Sequence, residues 1–110
     1  MKIAVLLKSG PTTTEAHRAF QVAADMLTQG HSVHLYLLQD AVNLCRPNLV
    51  YSSSVDLSRL IDEKLRVSVL IQDAELRGID LKSVKQAISA GDYESLMDLM
   101  ESSDRVIGML

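Results

Sequence analysis

One cysteine, Cys45, is all the sulfhydryl chemistry this chain can offer. A lone cysteine excludes an internal disulfide framework and any multi-cysteine metal site, and it suits a reducing compartment. Tryptophan is absent and Phe20 is the only phenylalanine, so the core must be aliphatic, with methionine as filler. No apolar run approaches the ~20 residues that a membrane-spanning helix needs. The opening MKIAVLL is short and runs into Lys8-Ser9-Gly10-Pro11, so it reads as a strand and not as a secretory leader. Basic residues are not in excess, and the formal net charge is −3. Such a surface has no electrostatic footprint for nucleic acid or an anionic membrane, and neither is an expected partner. There is no GxGxxG, no Walker spacing and no histidine pair at metal-ligand spacing, so neither cofactor nor metal is expected.

What remains is an ordinary globular composition, 47% hydrophobic and 23% charged, in a chain of 110 residues. That is enough for one domain with a real core. Lys2–Leu7 reads as a buried strand ended by Gly10-Pro11. Thr12 and Glu15 stand at capping-box spacing before a helix whose apolar stripe is Ala16, Ala19, Phe20, Ala23, Ala24 and Leu27. The alanines let that helix lie close to a sheet. Gly30 is a left-handed helix stop.

Ser32–Leu38 is a second strand, completing a βαβ unit. Gln39–Ser54 is irregular and rich in Asn, Ser and Pro. Ser54 is placed to cap a helix that buries Leu57, Leu60, Ile61 and Leu65. Val67–Ile71 is a third strand, and Leu81–Ala90 a short helix. Asp92 caps a last helix with Leu96, Met97, Leu99 and Met100 turned inward, and Arg105–Met109 closes the chain as a strand. Strands alternating with helices predict an α/β three-layer sandwich with a mostly parallel sheet, a variant of the flavodoxin-like arrangement.

Ligands of such sheets bind beyond the carboxyl ends of the strands. Lys8, Ser9, Gln39, Asp40, Asn43, Cys45, Gln72, Asp73, Glu75 and Arg77 should gather there, with His31 and His34 at the opposite end. Arg77 is expected to pair with Asp73 or Glu75, and Lys8 with Asp40 or Asp73. A receiver-type acidic pocket is excluded, because Lys8-Ser9 occupies the position that needs acids. The loop Lys8–Thr14 ends at a helix start and could hold phosphate, although Pro11 removes one amide and capping alone explains Thr12. His34 is read as a packed histidine. Gly78 follows Arg77 in a turn that needs positive φ.

Two readings stand for Cys45. A sulfur carrier needs an exposed thiolate, favoured by Arg46 beside it. The alternative is a small apolar residue packed under the loop, and that is the preferred one.

Three stretches, KIAVLLKSGPTTTEAHRAF from Lys2, GHSVHLYLLQDAVNL from Gly30 and LIQDAELRGID from Leu70, together resemble the DsrE/DsrF-like family of sulfur-relay proteins. The matching positions are Ser9, Gly10, Asp40, Val42, Asn43, Arg77 and Gly78. Ala41 stands where the family often has glycine. In that family the segment before the Arg-Gly pair carries a reactive cysteine, and here Leu70, Ile71, Gln72 and Asp73 fill it. The resemblance implies a cytoplasmic homotrimer or hexamer active in sulfur trafficking, with sulfur-relay proteins as partners. Met97, Met100, Leu49, Val50 and Tyr51 are available for a subunit contact. Without the usual cysteine, the implied role is that of a non-catalytic partner or of a member that has left sulfur chemistry, with Cys45 the only thiol left for catalysis. The alternatives are a small-molecule, phosphate or nucleotide-binding module using Lys8, Ser9, Gly10, Asp40, Asn43, Gln72, Asp73 and Arg77, and a purely structural subunit.

Overall fold

The computed structural model describes residues 1–46, 57–81 and 87–108. Its strands are β1 (Lys2–Leu7), β2 (Ser32–Leu37), β3 (Arg66–Leu70), β4 (Ile88–Gly91) and β5 (Arg105–Ile107). Its helices are α1 (Thr14–Thr28), α2 (Leu57–Asp62), α3 (Ile71–Leu76) and α4 (Tyr93–Ser102), with a 3₁₀ helix at Gln39–Cys45. All strand pairs are parallel, in the order β4-β3-β2-β1-β5. The central strands β1, β2 and β3 read as near-continuous apolar runs because both their faces are covered.

The chain steps outward from β1 to β4, then α4 carries it back to β5 on the free side of β1. Right-handed crossovers in opposite directions put α1 and α4 on opposite faces, giving three layers. Ile3, Val5, Leu7, Val33, Leu35 and Leu37 pack against Ala16, Ala19, Phe20 and Ala23 of α1. The other face is thinner. Among the described residues its core is Ala4, Leu6, Tyr36, Leu38 and Leu70 with Leu99 of α4, and Leu96 packs against it.

The expected strands all form, with small differences at their ends. Val67–Ile71 is displaced by one residue, and the last strand ends at Ile107, with Met109 outside the described residues. Gly30 adopts φ +89 and stops α1 as expected. Five expectations change, the first being that Gln39–Cys45, expected to be irregular, forms the 3₁₀ helix. The cap of α1 is Thr13, whose Oγ1 accepts from the Ala16 amide at 3.2 Å, one position beyond Thr12. Ile88–Ala90 belongs to β4 and not to a helix, and residues 82–86 lie outside the described part. β3 runs straight into α3, where no helix was expected. Met97 and Met100 point outward, 60% and 41% exposed, because α4 buries only its Leu96–Leu99 side. Asp92 caps α4 as expected, accepting from the Ser95 amide at 2.8 Å. Ser54, Leu49, Val50 and Tyr51 lie outside the described residues.

α4 leaves the carboxyl end of β4 and finishes beside the amino end of β1, where Lys2 Nζ donates to Ser102 Oγ at 2.8 Å. It therefore crosses its face obliquely and leaves polar residues of β2 and β3 open. His34 Nε2 lies 2.7 Å from Ser68 Oγ, and the His34 ring stacks on Tyr36 at a centroid distance of 6.3 Å. Burial pushes the His34 pKa below its usual value, and the Arg66 and Lys2 charges add to this. The folded ring therefore resists protonation more than the unfolded one does. The unfolded chain binds the extra proton first, so stability falls as pH drops below about 6.5 and levels off once the folded ring is also charged. Urea midpoints taken between about pH 7.5 and 5 should show this slope. His34→Gln should flatten it, and an unchanged slope in that variant would assign it to other groups.

Candidate functional site

The parallel sheet sends β1, β2 and β3 to one edge, and the segments that follow them build the site. After β2 the chain turns sharply at Gln39, whose φ is +48, a conformation that costs a non-glycine residue. The Asp73 carboxylate holds that turn, accepting the Gln39 amide at 2.7 Å. The 3₁₀ helix then buries Ala41, Val42, Leu44 and Cys45 and turns Asp40 outward.

A chain of hydrogen bonds ties this helix to α3. Arg77 Nη2 donates to Asp40 Oδ1 at 3.0 Å, and Arg77 Nη1 to the Asp73 carbonyl at 3.2 Å. Arg46 Nε donates to Asn43 Oδ1 at 2.8 Å, and its Nη2 to the Arg77 carbonyl at 2.9 Å. Asn43 Nδ2 donates back to the Asp40 carbonyl at 3.0 Å. Gly78 has φ +67, as the turn after Arg77 requires.

Arg77 thus bridges to Asp40 across the two segments and does not make the local ion pair expected with Asp73 or Glu75. Asp73 is engaged by a backbone amide, and Lys8 forms no ion pair among the described residues. Gly10 lies close to the cluster: a Cβ there would come within 3.9 Å of the Asp40 Cβ. Lys8 and Ser9 lead into that loop, and Gln72 is exposed on α3. Thr13 Oγ1 donates to the Gly10 carbonyl at 2.7 Å while capping α1, so this hydroxyl is already engaged. Among the described residues no three His, Cys, Asp or Glu side chains gather as metal ligands.

Cys45 is 5% exposed and packs in the α1-side core. Burial pushes its thiol up to about 11. Arg46 does nothing to lower it, because its guanidinium is turned to Asn43 and Arg77. On the α4 face of the same edge is a hollow of about 290 Å³. Leu6, Leu38, Leu70 and Leu96 wall it, with Gln39 and Asp73 also lining it. Leu70 is the last residue of β3, so a side chain there closes the floor of the hollow with carbon.

The family model described as DsrE/DsrF-like matches residues 1–108. The chain belongs to the DsrE/DsrF-like family. No curated protein sequence matches it. The crystal structure of the ychN protein from E. coli is similar at a TM-score of 0.83 and 17% identity, covering 98% of each chain. MTH1491 of Methanobacterium thermoautotrophicum, a protein of unknown function, is similar at a TM-score of 0.70 and 11% identity, covering 97% of this chain and 98% of its own. At such identities the likeness shows the fold, a parallel α/β sheet.

Membership in the DsrE/DsrF-like family supports a sulfur-relay-type function at the family level. Leu70 and Asp73 both line the hollow. Sequence reasoning missed Tyr93 and Met100 as lining residues, since α4 reaches this edge only through the crossover to β5. It also missed Arg46 as the link between the two segments. Its only signal was a cation at the end of an otherwise buried stretch.

Proposed function

We propose that this chain is a sulfur-trafficking subunit that carries no sulfur itself and acts as a non-catalytic partner. The observation behind this reading is the state of the only thiol. With its pKa near 11, Cys45 is ionised in about one molecule in ten thousand at pH 7, and the side chain is buried. A persulfide carrier needs the opposite, an accessible thiolate. Leu70 supports the same reading, because it presents methyl groups at a position where relatives can have a nucleophile.

In this reading the subunit associates with copies of itself, as a trimer or hexamer, and with relay proteins of the cytoplasm. The exposed side chains Tyr93, Met97, Met100 and Val106 lie on α4 and β5, next to the thin core, and supply apolar surface for such contacts. Among the described residues no helix is long and apolar enough to cross a membrane.

Native mass spectrometry after exposure to a low-molecular-weight persulfide tests both parts. The expected result is an oligomer whose subunits gain no sulfur. A gain of one sulfur atom per chain that Cys45→Ser abolishes would make this chain a carrier. A species of monomer mass alone at micromolar concentration would remove the assembly.

A further inference from the structure

We propose that a cleft on the α4 face, formed by β2, β3, β4 and the start of α4, binds a small oxyanion, the phosphate or carboxylate group of an organic metabolite. The cleft has a volume of about 500 Å³ and opens where α4 leaves the sheet uncovered. That lies within the ~300–1,000 Å³ usual for small-molecule sites. It is separate from the hollow at the carboxyl edge, with which it shares no lining residue.

The lining is one of donors. Arg66 supplies a guanidinium and Ser89 a hydroxyl beside the His34 ring, while the Ser68 hydroxyl is engaged with His34 Nε2 and the Ser95 hydroxyl donates to the Asp92 carbonyl at 2.9 Å. Among the described residues no aspartate or glutamate side chain lines the cleft. An acidic protein of net charge −3 has here gathered a cation and hydroxyls without a counter-charge. Packing does not require this. On the same face the carboxyl halves of the strands carry Leu6, Leu38 and Leu70, while the next positions back along β2 and β3 in the α4-facing register include His34 and Ser68. Ser68 is the one buried polar residue among those described. Its hydroxyl holds the imidazole by the 2.7 Å bond to Nε2, and His34 makes no other hydrogen bond among the described residues. In the tautomer whose Nε2 accepts from Ser68, the ring proton sits on Nδ1, where it can be donated to a ligand.

The charges around His34 have the same sense. Arg66 of β3 and Lys2 of β1 both act on the ring, and both favour a bound anion. Tyr36, on its own strand, is tied by its hydroxyl to Ser95 Oγ at 2.8 Å and to the Asp92 carbonyl at 3.1 Å. The Asp92 carboxylate is occupied at the start of α4 by the Ser95 amide. Arg66 supplies the charge-assisted contact that anchors an oxyanion, and the Ser89 hydroxyl with the His34 ring gives it direction.

The test follows the histidine ring resonances of the intact protein by NMR during titration with inorganic phosphate and, separately, with acetate at constant ionic strength. The expected result is a saturable shift of the His34 signals, with those of His17 and His31 unmoved. A response to phosphate alone identifies a phosphate ester as the ligand class. A response to acetate alone identifies a carboxylate, and a response to both identifies the shared oxyanion chemistry. Arg66→Ala should weaken binding at least about tenfold, the loss expected for one charge-assisted contact. Ser89→Ala should weaken it a few-fold. Both residues are exposed, so neither change should disturb the fold. Absence of a saturable shift, or binding undiminished in both variants, would overturn the proposal.

Discussion

Gly91→Ala should lower stability by about 2–3 kcal/mol, a large effect for the addition of one methyl group. Gly91 is the last residue of β4 and is buried. A Cβ there would press into the Tyr36 hydroxyl, with Ser95 Oγ at 2.5 Å and Tyr36 Cζ at 3.1 Å. Tyr36 cannot retreat easily. It is 1% exposed, and its hydroxyl is bonded to Ser95 and to the Asp92 carbonyl. Either the ring moves and loses those bonds, at about 1 kcal/mol each, or β4 and α4 move apart. Tyr36→Phe in the Gly91→Ala background removes the worst contact, while Ser95 Oγ can rotate away. The double variant should therefore be little less stable than Tyr36→Phe alone. Urea unfolding of the four proteins gives this coupling directly. A Gly91→Ala protein within about 0.5 kcal/mol of the parent would mean that the face is looser than the structure implies.

The same corner shows why parts of this fold were legible in the sequence and parts were not. β1, β2 and β3 carry long aliphatic runs, and α1 carries a complete helical stripe, so their register is written locally. β4 is the four-residue ISAG, whose pattern of one buried end, two exposed residues and a buried glycine contains no period. Its strand identity comes from pairing with β3, a tertiary cause that no window of the sequence contains. α3 was hidden for another reason. Its preceding residue, Leu70, makes no side-chain cap, so the strand passes into the helix without the usual signal. Thr12 and Thr13 are both chemically able to cap α1, and the choice shows only in the folded turn, where Thr13 Oγ1 accepts from the Ala16 amide and donates to the Gly10 carbonyl.

For the site, topology was the legible part. Parallel strands bring the segments after β1, β2 and β3 to one edge, and Gly10, Gln39, Asp40, Asn43, Asp73 and Arg77 are found there together. Individual partners were not legible, because local spacing favoured Arg77 with Asp73. The structure instead spends the Asp73 carboxylate on the strained turn at Gln39, which frees Arg77 to reach Asp40. The Arg77–Asp40 pair is half open to water, so it orients the two segments more than it stabilises the fold.

Cys45 should be alkylated by iodoacetamide several hundredfold more slowly in the folded protein than in the urea-unfolded chain at pH 8. The factor has two sources. A folded thiol near 11, against about 8.5 in an unfolded chain, lowers the thiolate fraction by a factor of about 200 at this pH. The remainder is access, since 5% of the residue is exposed. The sign of the linked stability change follows from the same shift. Folding raises this pKa, so the unfolded chain loses its proton first as pH rises. Stability contributed by the neutral buried thiol is therefore complete below about pH 8.5 and declines between there and about 11. Cys45→Ala should remove both the alkylation signal and that part of the alkaline decline, while opening only a small cavity under the 3₁₀ helix. Arg46→Ala separates burial from charge. Because the guanidinium is turned to Asn43 and Arg77, its removal should leave the native alkylation rate unchanged within about twofold. Native alkylation as fast as in urea, with a midpoint near neutral pH and a drop on Arg46→Ala, would show an activated thiolate and return Cys45 to the role of sulfur carrier.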